Sequence, residues 1–463
     1  MRSVDADVIV VGAGVAGLAA ALRLKDSGRT PLVLEAGAMV GGRMTSRRIG
    51  PFTIDCGVAL PTRSFTRMRA LGARFGLAAR AKNIPFTLGI QDADGTVRAY
   101  RARHFEDILL DRRLPLAARA AFMRIGLDLI RFDHRLQLGD VNGAALLDSE
   151  DTASYVRRLG GGGDELLADV LGPGLRAAIG TELGSCSRAV LFSVARNTMR
   201  PGFWIMDGGL DQFPNALAQF VEVRRSTPVL EVRTSGRSVE IDIIERETKR
   251  TLRANGAIVA VPGPEAARLC PAAPRWLCSV LERTTYSRIA CVFVGWTTRI
   301  APACTGYVWK GTDAAKPASL EFEHLRSPGC CPHNRSLISV YFIDSPDFRC
   351  FAMSDDEIGA RAIKSIREIV HADGDVLFIY VTRWRYGLAT FAVGRFRELA
   401  SLRARLDAWH GPVDFCGDYL NGISSEGALC SGEQAARRLV RRLAPERWRE
   451  RAAITRGAAL PSS

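Results

Sequence analysis

Residues 7–35 of this chain read DVIVVGAGVAGLAAALRLKDSGRTPLVLE, and this stretch decides the fold. Residues 7–11 are a β-branched apolar run, which is typical of a buried parallel strand. The Ala- and Leu-rich residues 18–25 predict a helix that ends near residue 28. A second apolar run at residues 31–34 predicts the next strand. Strand, helix and strand in this order predict an α/β fold with a parallel sheet.

Three glycines, Gly12, Gly14 and Gly17, connect the first strand to the helix. Gly12 allows a tight turn, Gly14 lets the backbone approach a pyrophosphate, and Gly17 lets helix and strand pack closely. The helix N-terminus then presents free N–H groups to the phosphates. Glu35 is placed to accept hydrogen bonds from a ribose with a free 2′-hydroxyl. With both strands and the helix around them, these residues predict a dinucleotide site. The expected contacts are Gly12, Ala13, Gly14, Val15, Ala16, Gly17, Glu35 and Ala36.

A second glycine pair, Gly41 and Gly42, is followed directly by Arg43. This pattern predicts a loop that returns to the pyrophosphate and brings a guanidinium for bidentate contact. The segment resembles the extended signature of the flavin-containing amine oxidoreductase superfamily, which includes amine oxidases, protoporphyrinogen oxidases and phytoene-desaturase-like enzymes. The resemblance implies that FAD is the cofactor and that residues 52–60 run beside its isoalloxazine. In these two segments it implies cofactor contacts at Gly41, Gly42, Arg43, Gly57, Val58, Ala59 and Leu60.

Two segments near the C-terminal end of the chain resemble the same family independently. Residues 415–420 read FCGDYL, a strand that ends at a carboxylate, and residues 424–436 read SSEGALCSGEQAA. The second segment predicts a helix whose small residues permit close approach to something flat. In the resembled family the N-terminus of this helix points at the flavin pyrimidine, where it would stabilise the anionic reduced flavin. The resemblance implies further cofactor contacts at Gly417, Asp418, Ser425 and Ala428, and at the backbone of Val229.

The domain organisation follows from the same resemblance together with the apolar runs. We expect a discontinuous Rossmann-like FAD-binding domain from residues 1–80, 200–275 and 405–463, with an inserted α+β substrate domain. The substrate domain would combine residues 81–199, which are mostly helical in pattern, with the strand-rich residues 276–404. The substrate pocket is expected between the two domains.

Catalysis on this interpretation depends mainly on the cofactor, so the sequence assigns no catalytic side chain. Trp384 and Tyr386 are the pocket candidates, and Arg288 is a third. Amine oxidases of the resembled family often carry a lysine near the flavin, where this chain has Arg288. They also commonly carry an aromatic residue shortly before the Glu-Gly-Ala, where this chain has Ser424 and Ser425. Both departures lower the expectation of an amine substrate.

We therefore expect an FAD-dependent oxidoreductase that removes a hydride from a largely apolar small molecule, as a dehydrogenation or desaturation. Oxygen or another carrier would accept the electrons. An amine or amino-acid oxidase that produces an imine and hydrogen peroxide stays open. A non-redox binding protein of the same fold is the third alternative. It has no need of the six residues Gly12, Gly14, Gly17, Glu35, Arg43 and Asp418.

The net charge and the distribution of basic residues indicate which classes of partner to expect. The chain has 63 Lys and Arg against 49 Asp and Glu, a net charge of +14. Its basic residues are scattered and not interleaved with aromatic ones, so we expect no nucleic-acid partner. The one dense basic stretch, residues 437–456, predicts a solvated helix face, with contact to a membrane surface as the alternative.

Cysteine usage and hydropathy indicate the compartment. None of the 11 cysteines is at C-x-x-C spacing, so neither a disulfide framework nor a metal site is expected. Acidic residues precede the first apolar stretch, which argues against a secretory signal. The apolar runs also stay below the roughly 18 residues that a membrane span needs. A soluble cytoplasmic protein is the expectation.

Overall fold

The computed structural model describes residues 4–57, 60–137, 139–198, 202–311 and 313–444. Within these ranges the chain forms 18 β-strands and 16 α-helices. The strands are β1 (Ala6–Val11), β2 (Pro31–Leu34), β3 (Ser46–Ile49), β4 (Phe52–Asp55), β5 (Ala81–Ile84), β6 (Thr87–Gln91), β7 (Val97–Arg101), β8 (Phe203–Met206), β9 (Glu222–Arg224), β10 (Val229–Ser235), β11 (Ser238–Glu245), β12 (Thr248–Val259), β13 (Ile289–Trp296), β14 (Gly306–Trp309), β15 (Ser319–Phe322), β16 (Ser336–Ile343), β17 (Val376–Trp384) and β18 (Val413–Phe415). The helices are α1 (Val15–Asp26), α2 (Thr66–Arg74), α3 (Glu106–Leu109), α4 (Leu116–Phe132), α5 (Val141–Ala145), α6 (Thr152–Arg157), α7 (Gly163–Leu166), α8 (Gly172–Ile179), α9 (Arg188–Thr198), α10 (Gln212–Ala218), α11 (Gly263–Leu269), α12 (Arg275–Glu282), α13 (Glu323–Arg326), α14 (Asp355–Ile369), α15 (Arg395–Ala408) and α16 (Ser425–Leu443).

The first sheet contains β1 and β2, the strands predicted from the opening stretch. Five of its strands run parallel in the order β9, β2, β1, β12, β18. The antiparallel pair β10 and β11 extends it alongside the first half of β12. Alternate side chains of β1 enter two different hydrophobic clusters, one of which includes α1 and α16. Both faces of this sheet are therefore covered, which explains the unbroken apolar run in its central strands.

The second sheet has seven strands in the order β17, β13, β16, β15, β14, β6, β7. Its central strand β13 is buried along nearly its whole length. Strands β5, β6 and β7 lie within residues 81–199, so the expectation of a mostly helical segment is wrong for its first 21 residues. The reason is tertiary, because β6 is held by parallel pairing with the distant β14 and β5 pairs with β8. The remainder of that segment, from α3 to α9, is helical as predicted.

The basic helix α16 differs from its prediction. Arg438 and Arg442 are buried and both pair with the fully buried carboxylate of Asp414, at 2.7 and 3.0 Å. A buried carboxylate needs such partners, so one side of the basic run points inward. Arg437 and Arg441 remain about half exposed, as a solvated face requires. Arg447, Arg449, Arg451 and Arg456 lie outside the described residues.

None of the described helices is both long and apolar enough to cross a membrane.

Candidate active site

The turn between β1 and α1 has an open face. Gly12 has a φ of 101°, and a Cβ at that position would stand 2.8 Å from the Ala260 carbonyl oxygen. A Cβ at Gly17 would stand 2.0 Å from the Gly12 oxygen, so only glycine lets α1 begin this close to the strand. At Gly14 no atom lies within 4 Å of such a Cβ. As far as the chain is described, no side chain caps α1. The turn thus offers free space and helix N–H groups for an anion.

Glu35 follows β2 and reaches back to this turn. Its carboxylate accepts hydrogen bonds from the backbone N–H groups of Ala13 and Gly37, both at 2.8 Å. Each carboxylate oxygen keeps a further lone pair that can accept from a ribose hydroxyl. The backbone carbonyl of Glu35 accepts from Thr227 N, which brings the segment before Val229 beside it. The structure therefore brings the turn, Glu35 and the segment before Val229 close together.

The loop that contains Gly41 and Gly42 returns to the glycine turn between β1 and α1. The Gly41 N–H donates to the Ala13 carbonyl at 2.8 Å, and Gly41 pairs with Gly14 in a short parallel bridge. Gly41 has a φ of 109°, and a Cβ there would stand 2.3 Å from the Met44 oxygen. Glycine is thus required for the loop to turn at this point. The loop therefore lies against the first glycine turn, and its contact with a pyrophosphate stays a prediction.

Arg43 and Asp418 meet although 375 positions separate them in the chain. The guanidinium donates to both carboxylate oxygens at 2.8 Å and to the Gly387 carbonyl at 2.7 Å. Burial lowers the pKa of the Arg43 guanidinium, but the charge and hydrogen bonds of Asp418 outweigh this and raise it. These bonds occupy three of the five guanidinium N–H groups, so two can still donate to a phosphate. The carboxylate also holds the guanidinium in one orientation.

The strand β4 pairs with β3 in a two-stranded hairpin, and the chain that follows it returns to Arg43. A Cβ at Gly57 would stand 2.0 Å from the Arg43 carbonyl oxygen, so the chain passes Arg43 in close contact. The Trp384 indole donates to the Cys56 carbonyl at 2.7 Å, which places one pocket candidate beside the strand expected to line the isoalloxazine. Leu60 is partly exposed, and Val58 and Ala59 lie outside the described residues.

The start of α16 is capped by Ser424 and is also bonded to the start of α2. Ser424 accepts a hydrogen bond from Gly427 N, and the carboxylate of Glu426 accepts from the N–H groups of Arg67 and Met68 at the start of α2. Burial raises the pKa of Glu426. Ser425 contacts the Met68 sulfur at 3.8 Å. The helix start, with the predicted contacts Ser425 and Ala428, is therefore fixed in place.

The small residues later in α16 serve a different purpose from the one predicted. A Cβ at Gly432 would stand 2.0 Å from the Ala16 carbonyl oxygen on α1. Gly432 therefore allows two helices to pack closely. The expectation that this part of the helix approaches something flat is wrong for Gly432, since the opposing surface is α1.

The other two pocket candidates occupy different surroundings. The Tyr386 hydroxyl donates to Glu265 at 2.9 Å, and its ring meets Tyr286 edge to face at 5.3 Å. Tyr286 in turn lies 5.8 Å from the Arg43 guanidinium, which connects Tyr386 to the candidate site. Arg288 is paired with Asp344 at 3.1 Å and lies over the Phe351 ring. Its charge is thus engaged in a half-exposed ion pair.

Sequence reasoning missed Asp55 at the end of β4. Its carboxylate accepts from the Ser46 hydroxyl at 2.5 Å and from Leu210 N at 2.9 Å. Burial raises the pKa of Asp55 to about 6. The side chain joins the β3–β4 hairpin to the loop before α10. A lone Asp in an alternating strand carries no sequence signal for this contact, because Leu210 is 155 positions away.

Comparisons with known proteins agree with this geometry. Residues 15–440 match the family model for flavin containing amine oxidoreductases. Coproporphyrinogen III oxidase of Propionibacterium freudenreichii subsp. freudenreichii is 24% identical over 495 residues, which cover 93% of this chain and 90% of that protein. Putrescine oxidase of Kocuria rosea is 41% identical over 75 residues, 16% of each chain. The solved structure of cyclohexylamine oxidase from Brevibacterium oxydans IH-35A has a TM-score of 0.70 at 20% identity, over 95% of this chain and 99% of that one.

Proposed function

This chain belongs to the flavin-containing amine oxidoreductases and has FAD as its cofactor, and from that premise we propose that it dehydrogenates a largely apolar cyclic small molecule of the porphyrinogen kind. When bound, FAD supplies the hydride acceptor at N5. The protein's part is to hold the cofactor, orient the substrate and exclude water.

The open face of Gly14 and the N-terminus of α1 hold the pyrophosphate in this proposal, with the two free N–H groups of Arg43. Glu35 accepts from the ribose, and Asp418 both orients Arg43 and meets the ribityl chain. The remaining cofactor contacts are proposed at Ala13, Val15, Ala16, Ala36, Gly41, Gly42, Gly57, Leu60, Gly417, Ser425, Ala428 and the backbone of Val229.

The domain division belongs to the same proposal. The first sheet, with its parallel order around β1, is the Rossmann-like core of an FAD-binding domain from residues 1–80, 200–275 and 405–463. The second sheet and the helices α3 to α9 form the substrate domain from residues 81–199 and 276–404. The contact between Trp384 and Cys56 then lies between the two, where a substrate would meet the cofactor.

The observation that carries the choice of substrate is Ser424. Ser424 and Ser425 stand where amine oxidases of the family commonly have an aromatic residue, and the Ser424 hydroxyl caps α16. The alignment with a coproporphyrinogen oxidase over 93% of this chain supports the same choice. An apolar ring system would pack on the part of the Trp384 ring that remains exposed, while the indole N–H is bonded to the Cys56 carbonyl.

An amine oxidase that yields an imine and hydrogen peroxide is the second candidate. The 41% identity to putrescine oxidase over 75 residues favours it. It requires a pocket that holds a cationic amine next to the flavin. Arg288 lies where amine oxidases of the family often carry a lysine near the flavin. Its guanidinium forms an ion pair with Asp344, so it does not take the role of that lysine.

The test is an anaerobic titration of the purified flavoprotein followed by its visible absorption spectrum. Coproporphyrinogen III and protoporphyrinogen form one arm, and putrescine and cyclohexylamine form the other. We expect the oxidised flavin band to bleach with a porphyrinogen and to stay unchanged with the amines. Bleaching by the amines alone would replace the first candidate with the second. A flavin that no substrate of either arm reduces would contradict both.

A further inference from the structure

Helix α4 carries an apolar stripe that nothing in the described chain covers. Leu116, Met123, Leu127 and Ile130 have exposed fractions of 76, 57, 64 and 63%. Their spacing of seven, four and three positions places them on one face of the helix. We call these four residues the α4 stripe. Scattered exposed leucines are ordinary, but four large apolar side chains in one row are a contiguous patch.

The stripe is on a well-anchored helix. The opposite face of α4 is buried in the larger hydrophobic cluster through Ala118, Phe122, Ile125 and Leu129. A Cβ at Gly162 would stand 2.0 Å from the Ala118 nitrogen, so the Gly-rich loop packs directly on the helix backbone. The exposed row therefore results from the packing of the buried face.

Arginines line the stripe on both sides. At 100° per residue, Arg124 and Arg131 flank it on one side and Arg119 on the other. Arg119 and Arg124 also bond the carbonyls of Leu109 and Leu159, which keeps their stems along the helix. Asp128, the one acid within α4, is drawn inward by the Tyr155 hydroxyl at 2.7 Å.

We propose that α4 docks on an anionic lipid bilayer, lying in the interface with the stripe among the acyl chains and the arginines among the headgroups. An apolar face with basic flanks has the two attractions that hold interfacial helices, burial of apolar area and charge complementarity. The net charge of +14 acts in the same direction. A second copy of this chain is a poorer occupant, because two α4 faces would bring their arginines together.

The α4 stripe is a different surface from residues 437–456, the basic segment for which the sequence left membrane contact open. In α16, Arg438 and Arg442 are turned inward to Asp414, and no row of large exposed side chains accompanies Arg437 and Arg441. The α4 stripe combines apolar area with charge on one face, as interfacial binding requires.

The experiment is flotation of the purified flavoprotein with vesicles of phosphatidylcholine containing about one third phosphatidylglycerol. The wild type is expected to float with these vesicles, and to be released from them as salt rises from about 0.1 to about 1 M. Pure phosphatidylcholine vesicles are expected to bind far less. The double variant Leu127→Gln/Ile130→Gln is expected to bind about tenfold or more weakly, since two large apolar side chains no longer insert. Arg124→Glu/Arg131→Glu should lose binding to the anionic vesicles in the same way.

Matched controls separate docking from general damage. Leu377→Gln removes an exposed leucine on β17, and Arg275→Glu reverses an exposed charge at the start of α12. Both should bind as the wild type does, and all variants should keep the flavin spectrum. Failure of the wild type to float, or equal flotation of the stripe variants, would overturn the proposal. It would also be overturned if sedimentation showed a wild-type dimer that the stripe variants convert to monomers, because a second copy would then cover the face.

Discussion

Gly14 and Gly17 occupy one turn of the chain but face different surroundings. Gly17 points into the protein, where a Cβ would stand 2.0 Å from a backbone oxygen that cannot move without displacing β1. Gly14 points into open space, and its φ of −70° is one that any residue adopts. The fold needs a glycine at position 17, whereas the glycine at position 14 leaves room for a molecule that approaches from outside. This difference gives a test in which the two substitutions separate folding from cofactor binding.

We predict that Gly14→Ala changes the free energy of unfolding of the FAD-free chain by less than about 1 kcal/mol, since the stiffer unfolded chain offsets a weaker helix cap. The same variant should bind FAD markedly more weakly, because its methyl group occupies the approach to the pyrophosphate. Gly17→Ala should cost about 1–3 kcal/mol of folding free energy through overpacking. Urea unfolding and fluorescence titration with FAD measure the two effects. Wild-type FAD affinity in Gly14→Ala would show that the open face is not the binding surface.

Asp55 gives a prediction on pH. An aspartate in the unfolded chain titrates near about pH 4, whereas the pKa of Asp55 is raised to about 6 by burial. Between these values the folded chain retains a proton that the unfolded chain has lost, so the free energy of unfolding falls as pH rises. From about pH 4 to about pH 7 the wild type should lose up to about 3 kcal/mol relative to Asp55→Asn.

The Asn variant is a suitable reference because its amide oxygen still accepts from Ser46 and Leu210 without titrating. Urea unfolding of both proteins with excess FAD, across this pH range, gives the difference directly. Parallel stability profiles for the two proteins would mean that the Asp55 carboxyl titrates normally.

At the scale of elements, the close contact of α1 and α16 joins the two ends of the chain. Gly432 on α16 meets the Ala16 carbonyl, in the first turn of α1, whose N-terminus faces the proposed pyrophosphate site. The start of α16 is itself fixed by Ser424 and by Glu426, which caps α2. Displacement of either helix would therefore change the geometry of the candidate site as well as the packing of the core.

We predict that Gly432→Ala lowers the free energy of unfolding by about 1–3 kcal/mol, because its methyl group meets backbone that has no room to move. Gly126→Ala is the matched control in α4, where no atom lies within 4 Å of a Cβ. It should stabilise the protein by about 0.5–1 kcal/mol, the usual gain for this exchange within a helix. Thermal unfolding of both variants measures the contrast. A stabilised Gly432→Ala protein would show that the helices are farther apart than described.

Local pattern was sufficient to predict some elements and insufficient for others. The strands β1 and β2 and the helix α1 could be predicted because their apolar runs and glycines lie within one short stretch. The strands β6 and β7 could not, since β6 is stabilised by pairing with β14 from a distant part of the chain. For α4, the sequence pattern predicted a helix within residues 81–199, but the side of the helix that faces the core depends on which elements pack against it.

At the scale of the whole molecule, the candidate site depends on residues from both ends of the chain. The motifs around Arg43 and Asp418 each indicated a cofactor contact from sequence. Their direct pairing could not be read from either motif, because it depends on how β18 and β1 are placed in one sheet by β12. The same placement buries Asp414, which draws Arg438 inward from a run of arginines that sequence alone describes as solvated.

The measurement that tests the account most directly is the FAD affinity of Arg43→Ala, Asp418→Ala and the double variant. Each single variant should bind FAD about tenfold to a hundredfold more weakly, the usual effect of losing charged hydrogen bonds. The double variant should lose less than the sum, since the two residues are in contact. Arg47→Ala, an exposed neighbour, should bind as the wild type does. Full FAD occupancy with unchanged affinity in both single variants would contradict the placement of the cofactor at this pair.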